Sequence, residues 1–215
     1  MIGRLAIWTL AIVSIGVFVA VPIVVPDADS SYALLFGAAT TSFTVVGLIL
    51  IARVPGNRVG ALLLLSGAIF AAVYALTAYA IVAGTSTPPW PTTALAWVVS
   101  DAIFIYPVVI VLTGIPLVFP DGHLISPRWR WFVWFVVVAM TAQTMSVALA
   151  PGPVGPDGLP NPPAVPALPG VLPIRGGSSS LPSIVGLGGA AVAVWFLYRR
   201  GRPSRRHHRN SLLVS

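Results

Sequence analysis

The chain has 215 residues, of which 57% are hydrophobic and only 8% charged, with a formal net charge of +7. Soluble domains average about 25% charged residues, so a surface wetted on all sides is excluded, and little room is left for a soluble domain. Cys, Glu and Lys are absent, which rules out disulfides and thiol chemistry.

Six long apolar runs follow one another. The first, residues 5–25, would be about 31 Å long as a helix, against a hydrocarbon core of ~30 Å. A cleaved signal peptide has an apolar core of only ~7–15 residues, so this run, with Arg4 before it, reads as a signal anchor. The second run is 32–52, the third 59–83 and the fourth 94–119. Pro107 and Pro116 lie inside the fourth, where each removes a backbone donor and predicts a kink. The fifth, 129–149, opens on Trp129, Trp131 and Trp134. Indole rings favour the membrane–water boundary because they are apolar with one N–H to satisfy. Residues 150–180 hold nine prolines and the run Gly176, Gly177, Ser178, Ser179, Ser180, which predicts extended, mobile chain. The sixth run, 181–198, ends on Trp195 and Tyr198. The fold class expected is all-α: a polytopic integral membrane protein of six transmembrane helices (1–198) with a basic tail (199–215).

Charge in the connectors predicts the orientation. Arg4 precedes the first run, and Asp27 and Asp29 follow it. Arg53 and Arg58 follow the second, and no charge follows the third. Asp121, His123, Arg128 and Arg130 follow the fourth, Asp157 and a lone Arg175 the fifth. Arg199, Arg200, Arg202, Arg205, Arg206 and Arg209 follow the sixth. Cytoplasmic loops retain basic residues, so the N-terminus, the C-terminus and every arginine except Arg175 are expected inside. The partner this implies is the lipid bilayer. Arginines spread over loops suit anionic headgroups, and nucleic acid is not expected.

Small residues recur at helix-packing spacing: Gly67, Ala71 and Ala75 in the third run; Gly186, Ala190 and Val194, beside Gly189 and Ala193, in the sixth. Such faces let helices approach closely in lipid. Packing within one bundle is the expectation, with a homodimer interface the alternative.

Asp101 is the one acidic residue inside a run, about 10 Å from the outer end of its helix. A carboxylate there is costly, so it is expected to face the bundle or a water pocket, or to be protonated. A proton or cation site is one reading, and hydrogen bonding to Ser100, Thr92 or a neighbouring helix the other. The adjacent pair His207–His208 lacks metal-ligand spacing and a nearby carboxylate, and His123 beside Asp121 reads as turn chemistry. No nucleophile elbow, H-E-x-x-H or Walker-type loop is present. Neither catalytic residues, cofactor nor metal is expected.

Two loops are more specific. Arg53-Val54-Pro55-Gly56-Asn57-Arg58-Val59-Gly60 contains a tight Pro-Gly-Asn turn leading directly into the third run. Leu117-Val118-Phe119-Pro120-Asp121-Gly122-His123-Leu124 contains a Pro-Asp-Gly turn. Ser126-Pro127-Arg128-Trp129-Arg130 then follows, with Pro127 suited to open the next helix. Together these resemble the membrane-embedded input region of actinobacterial sensor histidine kinases, which typically carry Pro-Gly-Asn-Arg-(Val/Ile)-Gly and Phe-Pro-Asp-Gly-Arg-Leu turns. The resemblance covers residues 52–153, and His123 stands where the family usually has Arg. It implies a sensory module whose motif residues are Pro55, Gly56, Asn57, Arg58, Gly60, Phe119, Pro120, Asp121, Gly122, His123, Arg128, Trp129 and Arg130. A dimerising phosphoacceptor helix and an ATP-binding domain are absent from the sequence, and 205–213 is at best a degenerate form of the juncture leading to them. The chain is therefore expected to be non-catalytic by itself and to serve a kinase or a second copy. The alternatives are a small transporter or ion-conducting protein using Asp101, and a truncated remnant.

Overall fold

The computed structural model of the protein describes residues 2–25, 30–119, 124 and 129–165. It is helical, in the order α1 (Ile2–Val24), α2 (Ser30–Arg53), α3 (Arg58–Gly84), α4 (Thr93–Ile103), α5 (Ile105–Val109), a π-helical segment (Ile110–Gly114), α6 (Ile115–Val118) and α7 (Trp129–Leu149). Among the described residues, four stretches are long and apolar enough to cross a membrane: Leu5–Ile23, Arg58–Gly84, Thr93–Val118 and Trp129–Leu149. Gly37–Arg53, within α2, is a shorter apolar helix. The sixth run, Arg175 and the arginine tail lie outside the described residues, as do Asp27 and Asp29.

The central helix is α3, which packs against α1, α2, α4, α5, the π segment and α6. Its sequence suits that position. Gly60, Gly67, Ala71, Ala78, Ala80 and Ala83 are all buried, so neighbouring helices approach without large side chains intervening. In lipid, where apolar surface gains nothing by leaving the solvent, close packing of this kind is what holds helices together. Gly67 and Ala71 of the predicted stripe are buried, Ala75 half-buried.

Backbones approach most closely between α2 and α3. A Cβ on Gly47 would stand 2.7 Å from the Leu64 nitrogen and 2.8 Å from the Gly60 oxygen. A Cβ on Gly60 would lie 2.9 Å from the Leu50 Cβ and 3.0 Å from the Gly47 oxygen. One further contact fills the Gly67 notch, where Thr44 Oγ1 occupies the place a Cβ would take. That hydroxyl is buried with no hydrogen-bond partner among the described residues. Farther along, Val21 of α1 and Val25 just beyond its end meet Tyr74 and Ala78 of α3, with Val17, Phe18, Ile81 and Val82 packed around them.

Thr93–Val118 departs from a simple kinked helix. Pro107 deprives the Ile103 carbonyl of its α-helical donor, and Pro116 does the same to Leu112. Between them the ladder shifts register: Ile115 N–H donates to the Ile110 oxygen, five residues back. The α pattern returns where Phe119 N–H reaches the Ile115 oxygen at 2.9 Å. Phe104 keeps helical dihedrals and its bond to the Ser100 oxygen, so the departure from the α pattern is the one π turn at Ile110–Gly114.

The proline-rich connector also differs from the extended, mobile chain expected of it, at least over 150–165. Pro153–Val154 pairs antiparallel with Leu159–Pro160, as β1 and β2, across a turn whose Gly155 and Gly158 take φ of +68° and +67°. Val154 is buried against the bundle, and β1 packs on α4. Asn161, also buried, donates both amide hydrogens, to the Ala148 oxygen at 3.0 Å and the Ala150 oxygen at 2.7 Å. Val165 N–H returns to the Leu149 oxygen at 3.1 Å. Proline prevents sheet interiors but not a two-residue ribbon whose remaining backbone groups bond locally.

Candidate functional site at the arginine end of the bundle

The chain reverses between α2 and α3 in a four-residue turn. Asn57 N–H donates to the Val54 oxygen at 3.1 Å, with Pro55 and Gly56 at the two central positions. Proline presets the first central φ and glycine supplies the positive second one, here +83°. Asn57 then caps α3: its Oδ1 accepts from Gly60 N–H at 2.9 Å, satisfying one of the donors a helix start leaves open. Gly60 has two tasks, donating to that cap and admitting the α2 backbone. Arg53 and Arg58 flank the turn and are exposed, so a pair of cations sits where the helices end.

The second turn begins at the same end. Phe119 is exposed and extended, with φ −77° and ψ 143°, the conformation favoured before a proline. Pro120, Asp121, Gly122, His123 and Arg128 lie outside the described residues. The chain returns at Trp129, which opens α7 and sets its ring edge-to-face on Phe132 at 5.5 Å. Arg130, Trp131 and Trp134 are exposed beside it. The antiparallel order of the helices therefore brings Arg53, Pro55, Gly56, Asn57, Arg58, Phe119, Trp129 and Arg130 to one end. The arrangement offers cationic and indole N–H donors and apolar ring surface, with no nucleophile or base among the described residues at that end.

Asp101 stands apart, on α4 in the half nearer the opposite end. It is exposed on the described surface rather than turned into the packed helices. Asp101 is not without a partner, and the two hydroxyls named for it make bonds of their own. Ser100 Oγ donates to the Trp97 oxygen at 2.9 Å, and Thr92 Oγ1 pairs with the Tyr79 hydroxyl. Among the described residues no group of three His or Asp side chains is placed to hold a metal ion.

Comparison of the chain with protein-family models, curated proteins and solved structures gives no match. What the molecule does must be argued from its own geometry.

Sequence reasoning missed three features. The Thr144 hydroxyl of α7 lies 2.8 Å from the Tyr106 hydroxyl and 3.0 Å from the Met140 oxygen, tying α7 to α5. Asn161 closes the loop beyond α7, and its signal was an asparagine between prolines 160 and 162. The register change at 110–114 had its signal in the proline spacing, though proline alone does not say whether a helix bends or adds a residue.

Proposed function

We propose that the chain is a six-span protein of the bacterial cytoplasmic membrane, with both termini inside, that acts as a sensory input module for a histidine kinase. It is not an enzyme in its own right. The observation that carries this reading is the capped turn at Val54–Asn57. It is locked to the bundle's central helix by the Asn57–Gly60 hydrogen bond and by the Gly47–Gly60 approach. A displacement of α3 therefore moves the turn, and with it Arg53 and Arg58, at the face where a cytoplasmic partner or anionic headgroups would meet them. The Pro-Gly-Asn-Arg turn lies at this end, as does Phe119, the first residue of the Phe-Pro-Asp-Gly sequence, and both sequences resemble those of sensor-kinase input regions. The α3 helix links them physically, because it starts at the first turn and packs along α6, which leads into the second.

The test is a chimera in which residues 1–215 are joined to a histidine-kinase catalytic core and reconstituted in vesicles. One to four alanines are inserted at the junction. An input module transmits through helix phase, so autophosphorylation should rise and fall with the helical period of 3.6 residues. It should also change when Asn57→Ala loosens the turn. Autophosphorylation that stays level across all insertions and in Asn57→Ala would rule the reading out. The orientation is checked separately by labelling cysteines placed singly at Arg58 and Asp157, which should react from opposite sides of sealed vesicles.

A further inference from the structure

Two prolines nine positions apart bracket the one place where the described helices change their hydrogen-bond period. Upstream, the helix is anchored. Ala96, Val98, Ser100 and Ala102 are buried, α4 and α5 both pack on α3, and Tyr106 is held by Thr144 of α7. Downstream, 115–119 is a single α turn that ends at exposed Phe119. The segment between them holds one residue more than an α-helix would need for the same hydrogen-bonded span, because its bond runs five residues rather than four. The α bonds that compete with this one run from Gly114 N–H to the Ile110 oxygen and from Ile115 N–H to the Val111 oxygen, and Pro116, lacking an N–H, adds no α bond on Leu112 that would extend their register. Gly114 adds freedom without crowding. A Cβ there would meet only Ile110 Cγ2 at 3.8 Å and Leu62 Cδ1 at 3.9 Å, ordinary contacts. These features together describe a helix anchored by several helices above, held below by α3 at buried Leu117, and carrying a spare residue at the joint.

We propose that Ile110–Gly114 is a register switch: the spare residue can be held as the π turn or passed toward the C-terminal end, turning 115–119 about the helix axis while α4 stays in place. Loss of the π turn rotates everything beyond it by about 100° and shifts it by about 1.5 Å, the increments of one α-helical residue. Phe119 would be carried round with it. This supplies a moving part for the input-module reading. Its test reads geometry rather than kinase output, so each can fail without the other.

The chain has no cysteine, so spin labels can be placed singly and in pairs without a background. One pair, Ala61→Cys and Phe119→Cys, spans the joint near the arginine end, and both positions are exposed. A second pair, Ala72→Cys and Leu95→Cys, also exposed, reports the anchored half. Distances are measured by double electron–electron resonance in lipid nanodiscs. The switch requires two populations for the 61–119 pair, separated by up to about 8 Å for a 100° turn at side-chain radius, and one for the 72–95 pair. Deleting Val111 removes the spare residue and should leave only the rotated population, with the 72–95 distance unchanged. If the deleted chain loses its 72–95 distance and so has not folded, Pro116→Ala serves instead. Restoring the donor to Leu112 should shift the ratio of populations toward the α register by about fivefold, the effect of one net hydrogen bond. A single 61–119 population in the parent chain, or a ratio that Pro116→Ala leaves unchanged, overturns the proposal.

Discussion

The α2–α3 hairpin and the Thr93–Val118 stretch are both apolar and both pack on the same molecule, yet they are built to opposite ends. In the hairpin, glycine is used for what it lacks. Gly47, Gly60 and Gly67 remove side chains so that two regular helices touch along their backbones, and a capped turn fixes their relative phase. In the second stretch proline is used for what it lacks. The missing donors at 107 and 116 leave a ladder that changes period part-way. Glycine opposite a backbone removes alternatives, whereas proline within a helix creates them. Even the glycine of the second stretch, Gly114, follows the local rule, since nothing presses on it.

Substitutions at these positions break the contrast or sharpen it. The largest effect is expected for Gly47→Val. Its Cβ would meet two backbone atoms of α3 that cannot turn aside, so we expect destabilisation at or beyond the ~1–3 kcal/mol usual for overpacking, read by unfolding in mixed micelles. Gly67→Ala should cost less, because the nearest atom is the Thr44 hydroxyl, which a change of rotamer can move away. Equal losses for the two would show that the α2–α3 contact is not a backbone contact. Next comes Asn57→Ala, with about 1 kcal/mol expected from loss of the helix cap, and with amide exchange accelerated at Gly60 before any other described position. Thr144→Val should cost about 0.6 kcal/mol, the average for interhelical hydrogen bonds in membranes, and should loosen α7 without touching the hairpin. Smallest of all is Gly114→Ala, expected to be neutral or slightly stabilising, since alanine is the better helix former by ~1 kcal/mol and finds only ordinary contacts. A large loss at Gly114 would erase the distinction between the two stretches.

The apolar runs made the helices legible before any coordinates, because a span of the right length needs no partner to be recognised. Residues 5–25, 59–83 and 129–149 correspond to α1, α3 and α7 within a few positions. The Pro55–Gly56 turn was equally plain, as its residue types admit few other backbone paths. What remained hidden depends on partners distant in sequence. Spacing placed Gly67 and Ala71 on one stripe, but nothing in it named Thr44 as the occupant of the notch or Gly47 as the partner of Gly60. Asp101 illustrates the converse. Its charge made it conspicuous in the sequence, while its exposure belongs to the packing. The 150–165 loop misled because its composition discourages regular structure, whereas Asn161 supplies order through side-chain bonds that composition does not register.

The close approach of Gly47 to Gly60 carries a consequence for inheritance. Positions that face lipid accept exchange among Val, Ile, Leu and Phe with little penalty, so Val45, Val46 and Ile49, exposed on α2, are free to drift as lineages diverge. Gly47 and Gly60 have no such neighbourhood of tolerated replacements. Each excludes a methyl group on its partner's account, and neither can change first without harm. The pair should therefore persist as a fixed signature while the residues around it are rewritten, and descendants of this chain should be recognisable by those two glycines when most of α2 is not.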